Sequence, residues 1–280
     1  MKKLFLFLVL GMIFNLLQSQ EYIPVISDYQ KFLKSKTMVV YDEVLMSDFN
    51  VRIKDIMERS WKITPFDFIT TKEFEKMKHD PELSFLLMTV VTFDKDKIKA
   101  RYNFLSLLMG QPDKKIGNLP DLCSIPMSYA QNDEESYSYK YESFIHFIQS
   151  HIRTVLADPS FIGENALRKY NKEIGKLSTK TLYLLKDEMS ADINTIQKVR
   201  AIYKFPVEFV TREDIENAIA RQDKNVVFLH KVGPENIKTK ARVYKIIVGA
   251  GDAKLYWWDY EMIKEAKEDA LQAKDLKKMK

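Results

Sequence analysis

Four histidines, one cysteine and 39 acidic residues are the side chains in this sequence that could move protons, hold a metal or attack a substrate. His79, His146, His151 and His230 do not form a set. His146 and His151 lie five residues apart in a predicted helix, which sets them about 140° apart around its axis and off any common face. His230 alternates with Phe228 in a predicted strand and is expected to be half-exposed. Cys123 stands alone, which excludes an internal disulfide and a zinc–thiolate cluster, so it reads as a small buried apolar residue. No H-E-x-x-H, G-x-S-x-G or S-x-x-K set with its companion motifs occurs, leaving hydrolase and protease chemistry without support. Gly249-Ala250-Gly251-Asp252 carries two glycines of a phosphate loop but lacks the third, and a strand follows it where a helix is required; it reads as a hairpin turn. The sequence therefore names no catalytic residue, no metal ligand and no cofactor.

Residues suited to binding are easier to find. Arg101 and Arg242 each open a strand at matching points of an internal repeat, where they could line a two-fold groove that accepts carboxylates or phosphates. Tyr256-Trp257-Trp258-Asp259-Tyr260 falls on the predicted last strand, so alternation sends Trp257 to one face and Tyr256 with Trp258 to the other. Either helices cover both faces, or one aromatic set is a surface for a partner or a glycan. Tyr256, Trp257, Trp258, Arg101 and Arg242 are thus the interaction candidates.

The opening MKKLFLFLVLGMIFNLLQSQ has the three parts of a secretory signal peptide: basic Lys2 and Lys3, an apolar run from Leu4 to Leu17, and a small-residue cut site ending at Ser19. Gly11 and Asn15 interrupt the run, which is too short for the ~20 apolar residues of a membrane span. No cysteine sits near the cut, so lipoprotein anchoring is disfavoured. The chain is expected to be exported and to act in the periplasm or outside the cell, with no integral membrane span after cleavage. Losing Lys2 and Lys3 takes the net charge from +5 to +3, too mild to argue for nucleic acid or an anionic membrane as partner.

With 46% apolar and 30% charged residues the chain can bury a core, and with 8 Gly and 9 Pro it is neither collagenous nor of low complexity. Its organising feature is a duplication. Lys36-Thr37 and Lys180-Thr181 each open an apolar run that leads to Asp-x-Asn, at Asp48 and Asp192. FDFITTKEFE from Phe66 then matches VEFVTREDIE from Val207, and the match carries on to Arg101 against Arg242 and Gly110 against Gly251. So long a spacing is a domain duplication and not a solenoid. Periodicity predicts β-α-β-α-β-β-β-α for each copy: an α/β (α+β) fold of two tandem modules, each a mixed sheet covered by helices. The expected boundaries are a signal peptide over 1–19, a first module over 20–157 and a second over 158–280, which includes a linker helix near Asn165 to Gly175. Within the first copy, Asp94-Lys95-Asp96-Lys97 is the expected turn of a hairpin. Thr70-x-x-Glu73 and Thr211-x-x-Asp214 have capping-box spacing, the aspartate version being the weaker expectation because its side chain is shorter. The segment from Lys264 to Lys280 mixes charges with few large apolar groups and is expected to be a solvated, fraying helix.

FPVEFVTREDIENAI, preceded by a helix and followed by a strand, resembles the "helix, then F-x-x-V-x-R-x-D-L" segment of the TolB N-terminal domain and of the curli-export protein CsgG, and FDFITTKEFEKM is a more degenerate version. The resemblance covers about 45 residues of each copy and implies an envelope α/β module that docks onto other proteins. The expectation is therefore a non-enzymatic interaction or assembly module bound to an envelope protein. A small-ligand or glycan-binding protein using the cleft between the modules is the alternative.

Overall fold

In the computed structural model the described residues are 22–44, 46–93, 98–163, 165–235 and 240–279; the expected signal peptide and the turn Asp94–Lys97 lie outside them. After a short helix α1 (Ile26–Phe32), the chain runs β1 (Lys36–Val40), α2 (Asp48–Ser60), β2 (Phe66–Ile69), α3 (Thr71–Met77), β3 (Leu83–Val91), β4 (Tyr102–Met109), β5 (Asp121–Tyr129) and α4 (Tyr141–Ala157). A connector, α5 (Asn165–Tyr170) and a 3-10 turn over Asn171–Thr179, leads to the second series. That series is β6 (Thr181–Leu184), α6 (Ile196–Ile202), β7 (Val207–Phe209), α7 (Arg212–Ala220), β8 (Val226–Val232), β9 (Ala241–Gly249), β10 (Leu255–Ile263) and α8 (Ala273–Lys278).

The two five-stranded sheets have the same order, β2-β1-β3-β4-β5 and β7-β6-β8-β9-β10, with the first three strands of each parallel and the last two antiparallel. The α/β reading in two modules is thus correct. Local chemistry explains the elements. Phe49, Ile53, Ile56 and Met57 recur at helical spacing and are all buried. Ser47 caps that helix by accepting from the Asn50 N–H at 3.2 Å. Both capping boxes close: Thr70 and Thr211 donate their N–H groups to Glu73 and Asp214 at 2.8 and 2.9 Å.

The repeat is real in strand order, but the sequence match slips by one residue at two strands and by two at β8, where Val226 and not Lys224 answers Leu83. Thr37 and Leu182 each donate an N–H to a proline carbonyl, Pro65 and Pro206, at 2.9 Å, so Leu182 is the counterpart of Thr37 and Thr181 is not. Gly110 and Ala250 likewise donate to Leu83 and Val226, which makes Tyr102, not Arg101, the counterpart of Arg242. Side chains alternate along a strand, so the one-residue slip would send each apolar set to the wrong face. Gly110 and Gly251 still share a role. A Cβ on either would meet backbone oxygen, Asp80 O at 1.9 Å or Gln222 O at 2.4 Å, in the loop entering β3 or β8.

The modules join through different faces. The first sheet carries α3 on one side, over Met38, Val40, Phe85 and Leu87, and α2 with α4 on the other. The second carries α6 and α8 on one side, over Leu182, Leu184, Val227 and Leu229, while α7 on the other side belongs to the same core as α2 and α4. The α2/α4 side of the first module therefore packs on the α7 side of the second, a head-to-tail contact with no two-fold axis.

Two expectations for the end of the chain are corrected. Tyr256 and Trp257 both enter the core beneath α6 and α8, because a bulge between Leu255 and Trp257 breaks the alternation; Trp258 packs on the opposite side. The last segment is not solvated: Leu271, Leu276 and Met279 are buried. Asp275 is buried too, and accepts from Lys245 Nζ at 2.6 Å, with Glu261 on the same ammonium at 2.5 Å. Its few apolar groups all face inward, which average composition conceals. Among the described residues no helix is long and apolar enough to cross a membrane.

Candidate interaction site

Open α/β sheets present crevices at the carboxyl ends of their parallel strands. Both modules have one. In the second it is an open crevice of about 910 Å³ between the ends of β6 and β7 and the start of α7, lined by Leu185, Lys186, Asp187, Thr211 and Arg212 among others. In the first, Tyr41, Asp42, Glu43, Thr70 and Thr71 line a crevice of about 480 Å³ at the corresponding place. Asn50 builds its wall by accepting from the Asp42 N–H at 2.7 Å and donating to the Asp42 and Val44 carbonyls at 3.0 Å.

Beside this crevice, on the α3 side, the first module has a groove of about 540 Å³. Its floor includes Val40, Phe74, Leu87 and Met88, its rim Glu43, Val44, Glu75, Val90 and Ile116. Val44 and Val90 are 64% and 53% exposed, and Met46 next to them is 83% exposed. Asp42, Glu43, Glu75 and Glu134 add acidity on a chain whose net charge is positive. Burial raises the Glu134 carboxyl above its ordinary range, and the carboxylates of Asp48 and Asp42 push the same way.

The matching positions of the second module are covered by the first. Lys140, at the end of the 3-10 turn Ser138–Lys140, is buried and reaches Glu188, the counterpart of Glu43, at 3.9 Å. Arg52 pairs with Glu216, the counterpart of Glu75, at 2.6 Å. Asn132 donates to the carbonyl of Gly233, the counterpart of Val90, at 2.9 Å. His230, the counterpart of Leu87, lies 4.6 Å from the Phe144 ring, and its Nε2–H donates to the Pro126 carbonyl at 2.8 Å. Tyr139 completes the plug in the same core as Ile215 and Ile219. Burial raises the Glu188 carboxyl, against the opposing pull of Lys140 and Lys231.

The comparisons with known proteins decide nothing further. No protein-family profile, curated protein or solved structure matches this chain.

The residues singled out from the sequence go elsewhere. Tyr256 and Trp257 are 2% and 4% exposed and present no surface. Trp258 is half-buried at the edge of its sheet, where the Asn171 side chain takes both its N–H and its C=O at 2.7 and 2.9 Å, closing that edge to further strands. Arg101 is exposed. Arg242 stacks its guanidinium 3.8 Å from the Phe93 ring centre and 5.3 Å from that of Tyr260, and its N–H donates to the Tyr102 hydroxyl at 2.6 Å. The two arginines are neither counterparts nor related by a two-fold axis. His230 is fully buried instead of half-exposed, because its strand faces the first module. His151 is also buried, its Nδ1 2.8 Å from the Tyr170 hydroxyl, and burial lowers its pKa to about 4. Cys123 is buried, which raises its thiol well above the ordinary value. Among the described residues no three His, Cys, Asp or Glu side chains are placed to hold a metal ion.

The cleft between the modules, of about 300 Å³, is lined by Asp55 and by two ion pairs, Arg52 with Glu216, and Arg59 with Glu142 at 2.8 Å. Sequence reasoning missed Lys140, Glu188, Glu43 and the exposed Val44 and Met46. Glu43 and Glu188 become visible as a pair only when the repeat is aligned by its strand pairing.

Proposed function

We propose that this chain is a non-enzymatic interaction module of the cell envelope that docks another protein through the groove of its first module. One observation carries the reading: that groove has an apolar floor and exposed apolar rim residues, Val44 and Val90, with exposed Met46 two residues on from Val44, while the matching positions of the second module are engaged by another part of the chain. Exposed contiguous apolar surface on a protein marks an interaction site. His151, His230 and Cys123, the side chains best suited to chemistry, are buried in packing. The signal-peptide pattern of the first 19 residues and the resemblance of both copies to envelope docking modules support the address. The inter-module cleft is the lesser candidate for a ligand, since four of its five charged side chains are already paired.

The test is crosslinking of an affinity-tagged full chain in intact cells of its host, with mass spectrometry of the retained protein. A stoichiometric envelope partner that disappears in Val44→Asp and Met46→Lys variants is the expected result. Both positions are exposed, so folding is unaffected. If the same proteins are retained by wild type and variants, the groove is not the docking site.

A further inference from the structure

The protein carries inside itself an example of what such a groove accepts. In the second module the groove positions receive an aromatic side chain and two cations: Tyr139 against α7, Lys140 on Glu188 and Arg52 on Glu216. The first module repeats the receiving half in part, with Lys78 standing where Ile219 stands. Phe74 and Leu87 replace Ile215 and His230, and Glu43 and Glu75 stand where Glu188 and Glu216 stand. Among the described residues Glu75 is paired with Lys78, just past the end of its own helix, at 2.5 Å, and Glu43 is exposed with no ion pair. We infer that this groove binds a helical turn of a partner protein in which an aromatic residue is followed directly by lysine or arginine, its base meeting Glu43. This rests on the docking function proposed above and specifies the chemistry of the partner.

Charge complementarity and precedent both argue for that occupant. Glu43, exposed over an apolar floor and without an ion pair among the described residues, disfavours acidic or purely apolar segments and selects basic amphipathic ones. A second copy of the chain does not supply the segment. Its four aromatic–lysine pairs, Trp61–Lys62, Tyr139–Lys140, Tyr203–Lys204 and Tyr244–Lys245, all have their rings buried, and the turn at the matching place before α8, Leu271–Gln272, has no such pair and is bridged to Met189.

The probe is a fluorescent synthetic peptide with the sequence SYSYKYESFIHF, which is residues 136–147 of this chain, titrated against the full protein by anisotropy. Saturable binding is expected, weakened about tenfold by Glu43→Lys in the protein or by Lys→Glu in the peptide, and restored when the two swapped partners are combined. No saturable binding, or binding indifferent to Glu43→Lys, overturns the inference. So does a dimer in sedimentation that Glu43→Lys dissociates while the peptide fails to bind, because the occupant is then a second copy. A photo-crosslinker at Met46 separates this inference from the broader one. If the captured partner segment lacks a base beside an aromatic residue, the specified chemistry fails while docking stands. If the peptide binds but no host protein is captured, the groove chemistry stands and the envelope-partner reading fails.

Discussion

The two modules share a strand order, a capping box and a pair of acids at the carboxyl ends of their parallel strands, yet one groove is open and the other is the joint that holds the molecule together. In the second module Glu188, Glu216 and Gly233 are met by Lys140, Arg52 and Asn132 of the first. In the first module Glu43, Glu75 and Val90 meet no such cover and stand at a groove rim. The same receiving surface can thus serve as an internal interface or an external one, and the side chains at its floor record which. The filled groove carries a histidine, His230, locked to a backbone carbonyl, whereas the open one carries Leu87 at that position. Head-to-tail contact leaves one receiving end unused, and in this chain the unused end is the one with exposed methionine and valine.

The sharpest way to break the comparison is to remove equivalent acids. Glu188→Ala leaves the buried Lys140 ammonium without its carboxylate, and stranding a buried charge costs about 3 kcal/mol. Glu43→Ala removes an exposed group and changes stability by less than about 0.5 kcal/mol. Urea unfolding of the two variants measures both. Equal losses would mean that Glu43 already has a structural role and the grooves do not differ as described.

Acid should act on the packing around two buried histidines, His230 at the joint and His151 between α4 and the connector. Burial holds the pKa of His151 at about 4 and that of His230 well below its ordinary value, so between about pH 6.5 and 4 the unfolded chain binds protons that the folded chain does not. Stability is therefore full above about pH 6.5 and falls as the pH drops through this window. For His151 the fall amounts to about 3 kcal/mol at 1.36 kcal/mol per pH unit. Unfolding midpoints at pH 7 and pH 4.5 test this, and the difference should shrink in His151→Gln. A midpoint that does not move with pH would mean that these rings are not held neutral by the packing.

The elements were legible in the sequence because hydrophobic period and turn chemistry are local: α2 spans Asp48–Ser60 as its apolar spacing predicts, and both capping boxes form where Thr-x-x-acid stands. What depends on pairing across the chain was not. Arg101 matched Arg242 by identity, but hydrogen bonding along β4 and β9 shifts the true counterpart to Tyr102, since a few identical residues cannot outvote a ladder. Alternation puts Tyr256 and Trp257 on opposite faces, and one bulged residue places both on the same side, in the core beneath α6 and α8. The groove escaped notice for a related reason. Nothing in the run Tyr-Asp-Glu-Val distinguishes an open crevice from a filled one, because the filling comes from Lys140, distant in sequence from the Glu188 it meets.

The smallest expected difference tests whether the modules are alike below the groove. Aspartate is one methylene shorter than glutamate, which favours the first capping box over the second. The structure closes the gap: Asp214 N–H stands 3.1 Å from the Thr211 hydroxyl, against 3.3 Å for Glu73 and Thr70, and both acids return to the threonine N–H at nearly the same distance. Thr70→Ala and Thr211→Ala should therefore each cost about 1 kcal/mol of unfolding free energy, with no resolvable difference between them. A Thr211→Ala loss much below that of Thr70→Ala would restore the chain-length argument. It would also show that α7, already held by its packing against Tyr139 and the first module, relies on the joint more than on its own cap.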